Sequence, residues 1–138
     1  MRTLSAWSHG VIDYVIFILL VTGPSISGFA GKQATLAYIL AAVLFILTIC
    51  TRFPLGVVKS IRFPIHGAIE LLLAILLLIL PWIANFARGI KSRNFYVAIG
   101  LLMLIVWVIT DFRGIRNRRN VIPSREDGEG SQNTGSSI

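Results

Sequence analysis

Two short segments of this chain, WSHGVID and FPIHGAIE, each contain a histidine, a glycine and, four residues after the histidine, a carboxylic acid. The pairs are His9 with Asp13 and His66 with Glu70. Residues four apart lie on the same face of an α-helix, so each imidazole is expected beside its acid. An imidazole next to a carboxylate is suited to carrying a proton, and two such pairs together offer ligands to a divalent metal.

The other ionisable residues near these pairs are few. Between the N-terminus and the polar C-terminal segment, the acids are Asp13, Glu70 and Asp111. Arg52 and Asp111 close the second and fourth apolar segments, where Arg52 is placed to neutralise an acid or to bridge to Asp111. We therefore predict one polar cluster, made of His9, Asp13, His66, Glu70, Arg52 and Asp111.

The segments that hold these residues are strongly apolar. Of the 138 residues, 55% are hydrophobic and 14% charged, whereas a soluble domain has about 25% charged residues. A membrane-spanning helix needs roughly 20 apolar residues, and strict alternation typical of a transmembrane β-barrel is absent. The sequence predicts an all-α, four-transmembrane-helix bundle, with spans at about Val11–Phe29, Thr35–Thr51, Ile65–Asn85 and Phe95–Thr110.

The two halves of the chain match one another. His9, Gly10, Ile12, Asp13, Pro24 and Phe29 recur 57 residues later as His66, Gly67, Ile69, Glu70, Pro81 and Phe86. Thr51-Arg52-Phe53 aligns with Thr110-Asp111-Phe112 after a shift of two residues. We interpret the chain as two tandem helical hairpins, with repeat 1 at about residues 7–53 and repeat 2 at about 64–112, inside a transmembrane domain of residues 1–120. Gly10 and Gly67 are expected to let the helices approach closely.

Positive charge predicts the orientation, because cytoplasmic loops of membrane proteins are enriched in Lys and Arg. The side with the termini and the middle loop has Arg2, Arg52, Lys59, Arg62, Arg113, Arg116, Arg118, Arg119 and Arg125; the other side has Lys32, Arg88, Lys91 and Arg93. This nine-to-four distribution predicts that both termini are cytoplasmic. The membrane itself is expected to be the inner (plasma) membrane of a bacterium.

The C-terminal segment has two parts. The basic stretch RGIRNRR is predicted to contact anionic lipid headgroups through Arg113, Arg116, Arg118 and Arg119. Residues 121–138 have almost no apolar content and are predicted to be a disordered polar tail. The net charge of +7 is interpreted as favouring contact with the membrane surface, and no nucleic-acid partner is expected.

With the repeat identified, the chain resembles the small SPW-repeat membrane proteins, which are built from pairs of transmembrane helices with a Ser-Pro-Trp motif in the first helix of a pair. The second copy has Leu80-Pro81-Trp82, and the first has Gly23-Pro24-Ser25, which keeps only the proline. The resemblance covers about Trp7 to Phe112. It implies a two-hairpin membrane protein and supplies neither an activity nor a functional residue.

Three interpretations of the polar cluster remain open. The first is structural: the groups cap helix starts, hydrogen-bond one another and hold the hairpins in register. The second is a small proton-coupled transporter or ion-conducting protein that uses the His–carboxylate pairs. The third is a metal- or haem-binding redox protein.

Motifs of soluble enzymes are absent: the chain has no phosphate-binding loop, no G-x-S-x-G and no H-E-x-x-H. The single cysteine, Cys50, supports neither an intramolecular disulfide nor a cysteine-based metal site. We predict a non-enzymatic accessory or oligomer-forming membrane protein with no catalytic residue, no cofactor and no metal ligand. Its expected partners are the lipid bilayer and either a second copy of the chain or another membrane protein.

Overall fold

A computed structural model describes residues 4–52 and 54–110 of the chain. These residues form four helices and no strand: α1 (Ala6–Ser27), α2 (Lys32–Ile49), α3 (Phe63–Ile83) and α4 (Ile90–Ile109). All four are long and apolar enough to cross a membrane, as an integral membrane protein requires. The all-α prediction is confirmed. The predicted tail, residues 121–138, lies outside the described part of the chain.

The helix starts lie further toward the N-terminus than the apolar runs predicted. Ser5 precedes α1, and its side-chain oxygen accepts a hydrogen bond from the Ser8 backbone N–H. This satisfies one of the N–H groups that a helix start leaves unpaired. Pro64 lies in the first turn of α3, where its missing N–H does no harm. Both helices therefore include their histidine and acid, whereas the hydropathy pattern alone places these residues at or just outside the ends of the predicted spans.

Helices α1 and α3 end in similar ways. Pro24 and Pro81 lie inside the last turns, and each helix stops within three residues of its proline. The carbonyl of each proline then accepts a backbone hydrogen bond five residues on, from Phe29 at 3.0 Å and from Phe86 at 2.8 Å. After α1 the chain turns through Gly28, whose φ of 69° lies in the left-handed region that suits glycine.

The bundle consists of two hairpins that pack side by side. Helix α1 packs mainly on α2, and α3 on α4; the two hairpins meet where α1 faces α4 and where α2 faces α3. The interior is filled by apolar side chains, among them Ile16, Leu44, Leu77 and Met103. Large aliphatic side chains also cover the outside of every helix, as expected for a surface that faces lipid rather than water.

Candidate functional site: a buried His–carboxylate cluster

The two predicted His–acid pairs occupy equivalent positions in α1 and α3. His9 and His66 are each the fourth residue of their helix, and Asp13 and Glu70 follow one turn later. All four side chains point into the bundle and are at most 1% exposed. Their metal-ligating atoms lie within 4.8 Å of one another. We call these four residues the His–carboxylate cluster.

The shortest contacts in the cluster join the two hairpins. Nε2 of His9 lies 2.9 Å from Oε2 of Glu70, and Nε2 of His66 lies 3.1 Å from Oδ2 of Asp13. The contacts within each helix are longer, 3.5 Å from His9 to Asp13 and 4.0 Å from His66 to Glu70. Each imidazole is therefore closer to the acid of the other hairpin than to the acid four residues along its own helix.

Two threonines hold the far side of the imidazole rings. Nδ1 of His9 lies 2.8 Å from Oγ1 of Thr110, at the end of α4. Nδ1 of His66 lies 2.8 Å from Oγ1 of Thr51, just after α2. The second helix of each hairpin thus positions the histidine that begins the other hairpin.

The threonine hydroxyls also determine which ring nitrogen carries hydrogen. Thr51 donates its hydroxyl hydrogen to the Leu47 carbonyl at 2.5 Å, and Thr110 donates to the Val106 carbonyl at 2.6 Å. A hydroxyl has one hydrogen to donate, so each Oγ1 is left to accept from the imidazole. Nδ1 of each ring is then the N–H nitrogen, and Nε2 faces the carboxylates. In a neutral ring, Nε2 presents a lone pair to the centre of the cluster.

Phe63 and the segments next to the threonines enclose the cluster. The Phe63 ring stacks on His66 with centroids 6.0 Å apart and meets the edge of His9 at 5.6 Å. Thr110 pairs with Leu4, and Thr51 with Ile61, through isolated β-bridges. The four side chains of the cluster are therefore shielded from solvent in the described part of the chain.

Apart from Oε2 of Glu70, which lies 2.9 Å from Nε2 of His9, two buried carboxylate oxygens have no hydrogen-bond partner among the described residues. They are Oε1 of Glu70 and Oδ1 of Asp13, which lies 3.5 Å from Nε2 of His9. A buried carboxylate oxygen ordinarily accepts at least one hydrogen bond. The described part of the protein therefore leaves these two oxygens without the hydrogen bond that a buried carboxylate oxygen ordinarily accepts.

The prediction that Arg52 neutralises Asp13 or Glu70 is wrong, whereas its predicted bridge to Asp111 involves a residue outside the described part of the chain. The Arg52 side chain is exposed and donates from Nε to the Lys59 carbonyl at 2.6 Å, and it does not reach Asp13 or Glu70. The physical reason is the loop after α2, which folds back so that the Arg52 backbone also bonds to Ile61. Asp111 and the predicted headgroup contacts Arg113, Arg116, Arg118 and Arg119 lie outside the described residues.

The helix-capping part of the structural interpretation is also wrong. The side chain that caps α1 is Ser5, and no side-chain cap hydrogen bond is present at the start of α3. Each His–acid pair instead contacts the His–acid pair of the other hairpin. A haem between the histidines does not fit either, because a porphyrin there would have to displace the carboxylates that both Nε2 atoms contact.

Thr51 and Thr110 are the functional candidates that the sequence analysis did not select. A signal was present, since Thr51-Arg52-Phe53 aligns with Thr110-Asp111-Phe112 in the two halves. The prediction named the charged neighbours Arg52 and Asp111 instead of the threonines. A threonine at the end of an apolar helix usually bonds its own backbone, so its type alone does not indicate a second partner.

The cluster is suited chemically to holding positive charge. Two buried carboxylates need cations, and in the described part of the chain no lysine or arginine forms an ion pair with them. Within the described residues, the cations that can neutralise the carboxylates are protons, shared between Nε2 and carboxylate oxygens, or a metal ion bound between them. Comparison of the chain with known protein families, with curated proteins and with solved structures found no match.

Proposed function

We propose that this protein is a non-enzymatic integral membrane protein in which the His–carboxylate cluster locks two helical hairpins into one rigid unit. The observation that carries the proposal is the exchange of partners: His9 contacts Glu70, and His66 contacts Asp13, across the boundary between the hairpins. The rigid unit acts as an accessory or oligomer-forming component of the membrane.

The energetics of buried charge support a lock at this position. Removing one partner of a buried ion pair costs about 3–5 kcal/mol, because the other charge is left uncompensated. Lipid offers little hydrophobic force to hold helices together, so polar contacts between helices gain importance there. Separating the hairpins would expose four ionisable side chains to an apolar environment.

The same proposal includes the membrane placement. The distribution of Lys and Arg, nine against four, favours cytoplasmic termini in a bacterial plasma membrane. A helix rises about 1.5 Å per residue, so Asp13 and Glu70 lie roughly 10 Å from the starts of α1 and α3. The cluster would then lie in the cytoplasmic half of the bilayer.

The outer surface supports a partner within the membrane. Exposed aliphatic residues on all four helices, such as Ile18, Ile39, Leu72 and Ile105, suit lipid tails, a second copy of the chain or another membrane protein. The equivalent positions of His9 and His66 in their helices support a duplicated hairpin and agree with the resemblance to SPW-repeat proteins.

The test is to cut the chain between the hairpins after it has folded. A protease site inserted between Val58 and Lys59, which are exposed in the loop after α2, gives two halves on cleavage. We expect the halves to co-purify in mild detergent and the Glu70→Gln variant to release them. Glu126→Gln, which changes an acid of the C-terminal segment, is the matched control. Halves that separate equally in the unsubstituted, Glu70→Gln and Glu126→Gln proteins would reject the lock.

A second candidate function is proton movement. The contacts of 2.9 and 3.1 Å between Nε2 atoms and carboxylate oxygens are short enough for a shared proton. His–carboxylate groups in membrane helices are common parts of proton relays. This function requires the enclosed cluster to open transiently to water.

A further inference from the structure

We infer that the His–carboxylate cluster is a binding site for one divalent first-row transition-metal ion of the Zn²⁺, Fe²⁺ or Mn²⁺ class. Its ligands are Nε2 of His9, Nε2 of His66 and one oxygen each from Asp13 and Glu70. The inference goes beyond the proposed lock, since protons alone suffice to hold the hairpins together.

The distances between the ligand atoms match the size of such a site. Ligand bonds to Zn²⁺ of about 2.0–2.1 Å place the ligand atoms of a tetrahedral site about 3.4 Å apart. The four contacts between a ring nitrogen and a carboxylate oxygen are 2.9, 3.1, 3.5 and 4.0 Å, which bracket that value. Small side-chain adjustments would therefore allow all four ligands to reach one ion.

The histidine tautomer is the one that a metal requires. Histidine ligands of metals nearly always donate the other ring N–H to a fixed acceptor, which orients the ring and strengthens the ligand. Thr51 and Thr110 provide that acceptor here, because their hydroxyl hydrogens are already donated to Leu47 and Val106. The lone pairs on Nε2 of both rings are thereby directed at the same point.

The charge and the unsatisfied oxygens point to a dication. A divalent ion neutralises the two carboxylates, which removes the penalty for burying them. Oδ1 of Asp13 and Oε1 of Glu70, without hydrogen bonds among the described residues, are available to bind the ion as second carboxylate oxygens. The protein therefore offers the oxygens that would raise the coordination number above four.

The ligand types narrow the choice of metal. Two imidazoles disfavour Ca²⁺ and Mg²⁺, which prefer oxygen ligands. The absence of a thiolate or thioether among the four ligands disfavours Cu⁺. Mixed imidazole and carboxylate ligands suit Zn²⁺, Fe²⁺ and Mn²⁺.

The test uses the full chain, purified in detergent through a tag without histidines. The protein is stripped with a chelator and titrated with Co²⁺, whose visible absorption reports coordination by nitrogen and oxygen. We expect one Co²⁺ per chain, displaced by Zn²⁺, and elemental analysis of protein that was not stripped should find a first-row metal. Glu70→Gln should abolish binding, while Glu126→Gln should leave it unchanged. Failure of the stripped unsubstituted chain to bind Co²⁺ would overturn the inference, and so would equal binding by Glu70→Gln.

The threonines provide a test that keeps all four ligands. Thr51→Val should weaken Co²⁺ binding about 10–100-fold, the usual effect of removing the partner of a metal-bound histidine. Thr48→Val is the matched control, because Thr48 is equally buried and donates to the Leu44 carbonyl at 2.8 Å, yet its hydroxyl has no such bond to a histidine. Equal affinities for the two variants would contradict the role of Thr51. If the unsubstituted chain binds no Co²⁺ while its cleaved halves stay associated, the metal site is rejected and the lock remains.

Discussion

Nε2 of His9 lies 2.9 Å from Oε2 of Glu70, although the two residues belong to different hairpins. The contact from His9 to Asp13, four residues along the same helix, is longer at 3.5 Å. The sequence places His9 and Asp13 on one face of α1, yet each makes its shorter contact with a residue of the other hairpin. Both hairpins are needed to complete either short contact.

The first prediction concerns the energy that couples His9 to Glu70. In a double-mutant cycle with His9→Gln and Glu70→Gln, we expect a coupling energy of about 1–3 kcal/mol in the free energy of unfolding. Each single substitution leaves a buried ionisable partner, and the double substitution removes both. Reversible unfolding in mixed detergent micelles, followed by tryptophan fluorescence, provides the measurement. A control cycle of His9→Gln with Glu126→Gln should give no coupling energy. A coupling energy of zero between His9→Gln and Glu70→Gln would contradict the lock.

The second prediction concerns removal of the metal. If the cluster is loaded, stripping the protein with a chelator should lower its unfolding temperature, since a ligand present at 1,000 times its Kd stabilises the folded state by about 4 kcal/mol. Adding Zn²⁺ back should restore the original value. The Glu70→Gln variant, lacking one ligand, should respond to neither treatment. An unfolding temperature of the unsubstituted protein that is the same before and after stripping would count against a loaded site.

The third prediction concerns the close packing of α3 and α4 at Gly100. A Cβ atom built there would lie 2.9 Å from Cγ of Leu78 and 3.1 Å from the Ala74 carbonyl oxygen. The backbone oxygen cannot move away without shifting α3. We therefore expect Gly100→Ala to destabilise the second hairpin by about 1–3 kcal/mol, measured in the same unfolding assay. Gly130→Ala, in the C-terminal segment, is the control, and equal stability of both variants would show that the helices can separate at no cost.

The fold was predictable because apolar runs of this length have few alternatives in a membrane. The His–acid spacing was equally informative, since the helical period alone places His9 near Asp13 and His66 near Glu70. The match between the halves then predicted that the two pairs meet, and the structure brings the four side chains together. These features depend on regular helix geometry, which sequence patterns describe well.

The failures concern residues at the helix ends. The direction of Arg52 depends on a loop in which Val57 and Ile61 bond back to the backbone at the end of α2, and no periodicity describes such a loop. The hydroxyls of Thr51 and Thr110 also bond to a histidine of the other hairpin, and this bond depends on where that hairpin lies. The starts of α1 and α3 depend on local chemistry at Ser5 and Pro64 rather than on apolar content.

The last prediction addresses proton movement through the cluster. If the shared protons are carried across the membrane, liposomes containing the unsubstituted protein should acidify under an imposed potential, and the Asp13→Asn/Glu70→Gln double variant should not. The physical reason is that amides cannot take up and release a proton at neutral pH, whereas the shape of the side chains is kept. A pH-sensitive dye inside the liposomes gives the rate. Glu126→Gln should conduct like the unsubstituted protein.

This experiment separates a proton carrier from the rigid lock, because the lock predicts no flux in any of the three proteins. The four side chains are at most 1% exposed, so a carrier needs an opening motion near Phe63, whose ring covers both imidazoles. Phe63→Ala should then raise the flux of a carrier by removing this cover. In a rigid lock, the same substitution should lower stability by about 3–5 kcal/mol, as for other buried aromatic truncations, and produce no flux.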